Sequence, residues 1–345
     1  MRALDIFSLS AEAPNPGCLH MPLTCLRCSV PSSRKRLHLV IRPGKAGPAQ
    51  HRPPQGGCHR RYGLCAPVPD PGTRRKTTAK GHTMLTTTYM PGAPNWLDLG
   101  SPDLDASCAF YSAVLGWEFH SAGPDAGGYG FFLLDGNTVA GLGPLTEEGA
   151  GASWTVYFHT PDADATAKIV EEAGGTTRVP PMDVFAYGRM AGFTDPTGAD
   201  FAVWQPRETN GLEAVNTPGA LSWTELYTID ATAAGEFYRS VFSWQATDME
   251  MGGGLTYSVL RPSGTGEEAA HGGLMQLPQE NLDAGSRSEW HPYFEVRDCD
   301  ATAAIAVEAG ATVLIPPADA EGIGRLAMFL DPFGAPFAII KSAMT

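Results

Sequence analysis

The sequence predicts an α+β protein of two tandem domains, each a pair of βαβββ modules, and three observations support that prediction. First, Trp96 recurs as Trp223, Phe110-Tyr111 as Phe237-Tyr238 and Trp117 as Trp244, all at a spacing of 127 residues. Second, Trp154 recurs as Trp290, Gly188-Arg189 as Gly324-Arg325 and Asp195-Pro196-x-Gly198 as Asp331-Pro332-x-Gly334, now at 136. The difference of nine residues is an insertion, best placed in the Gly- and Glu-rich region 263–288. Third, Pro102-Asp103-Leu104-Asp105-Ala106 is echoed by Pro161-Asp162-Ala163-Asp164-Ala165 at a spacing of 59, which makes the domain itself a duplicated half. The domains are placed at 94–207 and 217–345, joined by a short linker around Glu208–Pro218.

The first module reads in order. Asn95–Gly100 alternates like a strand. Asp103 is suited to cap a helix whose Leu104, Cys108, Tyr111 and Leu115 form one apolar stripe, ended by Gly116. Strands follow over Trp117–Ser121, Tyr129–Leu134 and Thr138–Leu145, separated by glycine-rich turns. The second module repeats the order over Trp154–Thr160, Asp162–Ala173, Thr176–Val184, Arg189–Phe193 and Asp200–Gln205. Each domain then offers two four-stranded sheets around a concave pocket.

Charge is divided along the chain. Residues 1–83 hold 14 Lys and Arg against three Asp and Glu, a balance of +11, which leaves −24 on residues 84–345. Ten cations spread over those 262 residues make no clustered basic face, which argues against a nucleic-acid partner. No stretch approaches the roughly eighteen apolar residues of a membrane span, so no membrane partner is expected. Five of the seven cysteines lie in 1–83, and Cys108 and Cys299 alone make no disulfide framework, which points to a reducing, cytoplasmic compartment. A homodimer stays open.

Residues 1–83 carry eleven prolines and eight glycines and no sustained apolar period. This basic, Pro/Gly-rich leader is expected to be disordered or to precede the true start. Lys80-Gly81 would be encoded AAR-GGN, which resembles a ribosome-binding sequence just before a start at Met84. The competing readings are a zinc site on Cys25, Cys28, Cys58, His59 and Cys65, whose spacing matches no common pattern, an organelle transit peptide, and a nucleic-acid tail.

The strand, Pro-Asp-Leu-Asp, Phe110-Tyr111-x-x-x-Leu115-Gly116-Trp117, Glu172-Ala173-Gly174-Gly175, Gly188-Arg189 and Asp195-Pro196-x-Gly198 together resemble the vicinal oxygen chelate superfamily. That superfamily includes glyoxalase I, extradiol dioxygenases and bleomycin-resistance proteins. The resemblance covers nearly all of 94–342 and extends to actinobacterial two-domain glyoxalase-like proteins, some labelled hydroxylases in polyketide pathways. It implies tandem vicinal-oxygen-chelate domains. For the family's enzymes it also implies a divalent metal, held mostly by His and Glu on the first and last strands of each half, that chelates vicinal substrate oxygens as a Lewis acid. The matching positions are Trp96, Gly141, Thr155 and Ala202 in the first domain, and Trp223, Gly273, His291 and Ala338 in the second. Only His291 is a metal-ligating type, so the expectation is no cofactor and no usual metal site. A displaced set of Glu225, His271 and His291 would supply two imidazoles and a carboxylate. Against it, a two-residue slip moves a side chain about 6.6 Å along a strand, while metal–ligand bonds are about 2.0–2.2 Å.

Strand alternation turns Trp96, Asp98, Thr155, Tyr157, His159 and Trp204 into the first cup, and Trp223, Glu225, His291, Tyr293 and Glu295 into the second. Aromatic walls with a few convergent polar groups suit a planar organic ligand, although the same tryptophans could simply fill the cups as core. Asp98, Glu225 and His291 are the candidate catalytic groups, because a carboxylate and an imidazole facing one cavity can move protons. Arg189 and Arg325 either meet a ligand carboxylate or form salt bridges within the protein. Two functions compete. One is metal-free binding of a small aromatic metabolite or drug. The other is a hydroxylase-like, glyoxalase or dioxygenase enzyme acting on a small oxygenated metabolite.

Overall fold

The computed structural model describes residues 85–145, 149–251 and 255–343. The leader 1–83, with its cysteines and His59, lies outside the described residues. The first module comprises β1 (Pro94–Ser101), α1 (Leu104–Leu115), β2 (Glu118–Ser121), β3 (Gly130–Leu134) and β4 (Asn137–Pro144). The second comprises β5 (Ser153–His159), α2 (Ala163–Glu172), β6 (Thr176–Val184), β7 (Gly188–Thr194) and β8 (Asp200–Pro206). The third runs through β9 (Leu221–Thr228), α3 (Ala231–Phe242), β10 (Gln245–Glu250), β11 (Thr256–Arg261) and β12 (Gly272–Gln276). A short helix, α4 (Gln279–Asp283), leads to the fourth: β13 (Glu289–Glu295), α5 (Cys299–Glu308), β14 (Thr312–Ala320), β15 (Gly324–Leu330) and β16 (Pro336–Ser342). Among the described residues no helix is long and apolar enough to cross a membrane.

The same local chemistry starts all four module helices. Asp103, Asp162, Asp230 and Asp298 each accept a hydrogen bond from the backbone N–H three residues on, satisfying one of the donors a helix start leaves orphaned. Arg189 binds Asp164 through Nε and Nη2 and Asp183 through Nη1, and Arg325 repeats the pattern with Asp300 and Asp319. Both arginines therefore tie a helix's first turn to the neighbouring hairpin.

The sheets differ from the sequence expectation. The two halves of each domain do not remain separate four-stranded sheets, because β1 pairs antiparallel with β5, and β9 with β13. The result is two eight-stranded sheets, ordered β2-β3-β4-β1-β5-β8-β7-β6 and β10-β11-β12-β9-β13-β16-β15-β14. Both central strands of the first sheet are largely buried. Unpaired inner edges there would strand backbone N–H and C=O groups away from water, so fusion of the halves removes a cost that separate sheets would carry.

The repeated motifs meet between the two domains, where α1 packs on α5 and α2 on α3. Tyr111 stacks on Trp117 at 5.4 Å, receives a hydrogen bond from Trp154 Nε1 at 3.0 Å, and donates to Asp331 Oδ2 of the other domain at 3.2 Å. Tyr238 takes the equivalent place, stacked on Trp244 at 5.1 Å and accepting from Trp290 Nε1 at 2.8 Å. Asp195 is its mirror partner but closes no aligned bond, and its Oδ2 is unpaired. Trp117 Nε1 donates to Gly219 O at 2.7 Å, and Trp244 Nε1 to Gly92 O at 2.9 Å, so each indole clamps the chain where it enters the other domain. The Phe-Tyr and Asp-Pro repeats, with Trp117, Trp154, Trp244 and Trp290, thus build the shared core, whereas Trp96 and Trp223 belong to the cups. Tyr111→Phe leaves a buried indole N–H and a buried carboxylate oxygen unpaired, so denaturant unfolding should register a loss of about 1–3 kcal/mol. Unchanged stability would contradict this assignment.

Candidate functional site

The first cup is organised around Asp98. Its carboxylate accepts hydrogen bonds from Trp96 Nε1 at 2.8 Å, Tyr129 OH at 2.6 Å and Tyr157 OH at 2.7 Å. Burial raises the Asp98 pKa, and the three donors oppose that rise. Trp96 also stacks on Trp204 at 6.5 Å and meets the edge of Phe131 at 6.1 Å. Trp96, Tyr157 and Trp204 are all buried, so here the tryptophans fill the cup. Thr155 lies opposite Asp98 in the β1–β5 register. His159 pairs in register with Trp204 beyond a bulge in β1, and burial lowers the pKa of its imidazole, whose Nδ1 has no partner.

The second cup repeats the plan with one donor moved. Glu225 Oε2 accepts from Tyr257 OH at 2.8 Å and from Trp223 Nε1 at 3.2 Å. Tyr293, the counterpart of Tyr157, instead pairs with Tyr227 OH at 2.8 Å. Tyr227 occupies the position that is Gly100 in the first domain, so this one added phenol draws the third donor away from the carboxylate. Burial raises the Glu225 pKa to about 7 despite the two donors that lower it. His291 stands opposite Glu225 in the β9–β13 register and is 1 % exposed. Its ring lies 4.9 Å from that of Tyr227. His291 Nε2 approaches Glu289 Oε1 to 2.9 Å, but off the axis of an aligned hydrogen bond, and both ring nitrogens lack a hydrogen-bond partner.

Glycine is required opposite each carboxylate. Gly141 faces Asp98 on the parallel strand β4, and Gly273 faces Glu225 on β12. A Cβ on Gly141 would overlap Asp98 Oδ1 and the Tyr129 hydroxyl, and one on Gly273 would overlap the Tyr257 hydroxyl and crowd Glu225 Oε2. The second metal position of each half-pair is therefore filled by a tyrosine–carboxylate contact. With Trp96, Thr155 and Ala202, or Trp223, His291 and Ala338, at the remaining positions, the donor set does not fit the family's metal.

The displaced set of Glu225, His271 and His291 also fails to assemble. β12 begins at Gly272, so strand alternation does not extend back to His271. The His271 ring packs instead on Trp244 at 4.9 Å and near Phe158 at 6.4 Å, in the shared core, where burial pushes its pKa down to about 3. Among the described residues no group of three or more His, Cys, Asp or Glu could hold a metal ion. Glu295 leaves the cup as well. It follows a register shift between Tyr293 and Phe294 and accepts from Ser342 N at 3.0 Å and Ser342 Oγ at 2.6 Å, anchoring β16.

Next to Tyr227 and His291 the second domain holds a narrow, partly open cavity whose enclosed space is no larger than a water molecule, lined also by Leu277, Asn281, Arg287, Glu289, Leu314 and Met328 among others. Sequence reasoning missed Tyr129, Tyr257, Tyr227 and Asn281. The two tyrosines of the carboxylate clusters recur at a spacing of 128, one residue away from the 127 of their neighbours, so a repeat scan allowing one gap would have paired them.

Comparison with known proteins agrees with this architecture. Residues 93–203 match the family model described as Glyoxalase/Bleomycin resistance protein/Dioxygenase superfamily, and residues 224–340 match the Glyoxalase-like domain. The chain belongs to the glyoxalase/bleomycin resistance protein/dioxygenase superfamily. Among its relatives, the anthracycline biosynthesis protein DnrV of Streptomyces peucetius is 40 % identical over 270 residues, covering 74 % of this chain and 95 % of DnrV. The putative glyoxylase CFP32 of Mycobacterium tuberculosis is 37 % identical over 260 residues, covering 74 % and 97 %. In fold, the chain is similar to the 2,3-dioxygenase LapB from Pseudomonas sp. KL28, with a TM-score of 0.51 and 16 % identity over 74 % of this chain and 94 % of LapB. The Mn(II)-bound glyoxalase from Novosphingobium aromaticivorans gives a TM-score of 0.51 and 18 % identity over 74 % and 85 %.

Glu225 gives the site a measurable pH signature. Because burial lifts its pKa from 4.5 unfolded to about 7 folded, folding favours the protonated acid. That stabilisation is complete below pH 4.5 and is lost as the pH rises through 7, by at most about 3–4 kcal/mol. Glu225→Gln should flatten the fall in unfolding free energy between pH 5 and pH 8. An equal fall in both proteins would contradict the burial of an ionising Glu225.

Proposed function

We propose that the second cup binds a small, oxygenated aromatic metabolite without a metal ion. The observation that carries this reading is the pairing of a partly apolar cavity at Tyr227 and His291 with three of the cup's four metal positions taken by Trp223, Gly273 and Ala338. The name of the relative DnrV, an anthracycline biosynthesis protein, supports a polycyclic aromatic as the class of ligand. On this reading the first cup is a filled, structural copy, its carboxylate held by three donors and its indoles stacked together. Titration of the purified protein with hydroxyanthraquinones should quench tryptophan fluorescence saturably, with Kd on the order of micromolar. Tyr227→Trp, which crowds the second cup, should weaken binding at least about tenfold, and Thr155→Val in the first cup should leave it unchanged. Loss of binding in Thr155→Val alone would assign the ligand to the wrong domain.

A second reading, proton transfer on the bound metabolite, is favoured by one observation: a carboxyl with a pKa near 7 faces the same cup as an imidazole. A ligand that is converted rather than held, at a rate governed by a single ionisation near pH 7 and abolished in Glu225→Gln, would select it.

A further inference from the structure

The nine residues that distinguish the second domain from the first are split by the register. Asp98 and Glu225 are 127 apart, Gly141 and Gly273 are 132 apart, and Trp154 and Trp290 are 136 apart, so four of the extra residues fall between β12 and β13. That connection winds into α4 and brings Asn281 over the cavity. Asn281 is completely buried, yet neither its Oδ1 nor its Nδ2 has a hydrogen-bond partner. Both nitrogens of His291, on the same cavity, are also without one. Buried polar side chains are almost always satisfied, and each unpaired amide or imidazole costs stability. Two of them converging on one space, one brought there by an inserted segment, are poised for a partner from outside the protein.

The size of the space limits what that partner presents. The cavity is partly open to solvent, and its enclosed part is no larger than a water molecule. Leu277, Leu314, Ile315 and Met328 make much of the wall apolar, and Arg287 and Glu289 complete it, with the Glu289 carboxylate 2.9 Å from His291 Nε2 but off the axis of a hydrogen bond. We propose that Asn281 and His291 form an oxygen subsite that takes one hydroxyl or keto oxygen of the bound ligand while the ligand's rings lie in the open part of the cup. The carboxamide can donate to that oxygen or accept from its hydrogen, and the imidazole offers a second nitrogen to the same oxygen. The subsite therefore selects a neutral oxygen substituent and has no room for a methyl ether.

This inference rests on the aromatic-ligand reading above, and a matched pair of compounds separates the two. The full chain is titrated with 2-naphthol and with 2-methoxynaphthalene by ligand-observed NMR. Wild-type protein should prefer 2-naphthol by at least about tenfold, since a site built to hydrogen-bond a hydroxyl rejects the analogue that cannot supply it. In Asn281→Leu the two affinities should come within about twofold of each other. Equal affinities in the wild type, or an undiminished preference in Asn281→Leu, would overturn the subsite. If neither compound binds the wild type, the aromatic-ligand reading fails, and the unfolding midpoint of Asn281→Leu decides the subsite. An amide kept unpaired for a ligand destabilises the free protein, so the midpoint should rise by about 2–4 °C. A fall would mark Asn281 as a structural group and overturn the proposal.

Discussion

A carboxylate taken out of water without a cation must be met by neutral donors, and that requirement organises both cups. In each domain the acid stands two residues after the first-strand tryptophan, whose indole N–H bonds back to it. A tyrosine beside or at the start of the third strand supplies a hydroxyl, and the glycine opposite leaves space for that hydroxyl. These four positions depend on one another. A side chain on the glycine displaces the tyrosine, and loss of the tyrosine or indole leaves a buried charge short of donors. The space given to a metal ligand elsewhere in the family is here filled by a closed hydrogen-bond cluster.

The strands that carry the cups are held in place by the core between the domains. Tyr111 and Tyr238 each lie between a stacked indole and an indole N–H donor, and the stacked indoles, Trp117 and Trp244, are each held by a backbone carbonyl where the chain enters the opposite domain. This division of labour explains which residues are legible in the sequence. The Phe-Tyr, Trp and Asp-Pro-x-Gly repeats are strong signals because packing and a tight turn demand particular residues at fixed spacing, and they predict the tandem duplication and its modules. Strand alternation likewise turns Trp96, Asp98, Tyr157, Trp223, Glu225 and His291 toward the cups. It fails where a strand ends or shifts register, as at His271 and Glu295. Fusion of the half-sheets depends on long-range pairing between β1 and β5, for which no local pattern exists. Tyr129 lies just outside its strand and meets Tyr257 only if the repeat is allowed one gap, and Asn281 lies in an insertion that has no counterpart in the first domain.

The two cups have diverged from one plan by a few changes. Tyr227 in place of Gly100 draws Tyr293 away from the acid, His291 replaces Thr155, and four extra residues lengthen the connection that carries α4. Each change makes the second cup less self-satisfied than the first. The first holds its carboxylate with three donors and closes over stacked indoles, leaving His159 Nδ1 unpaired beside them, whereas the second keeps a titratable acid and, along one cavity, an imidazole and an amide without hydrogen-bond partners. Unpaired buried groups reduce stability, and their concentration in the second copy is the reason the proposed ligand is placed there.

The central claim is that neutral donors, and not a metal, hold the cup carboxylates. Anomalous diffraction from crystals of the full chain grown with millimolar Mn(II) tests it most directly. The account predicts no anomalous peak in either cup, with Tyr257 still bonded to Glu225 and Tyr129 to Asp98. A peak within about 2.2 Å of Glu225 and His291, with the tyrosine displaced, would contradict it.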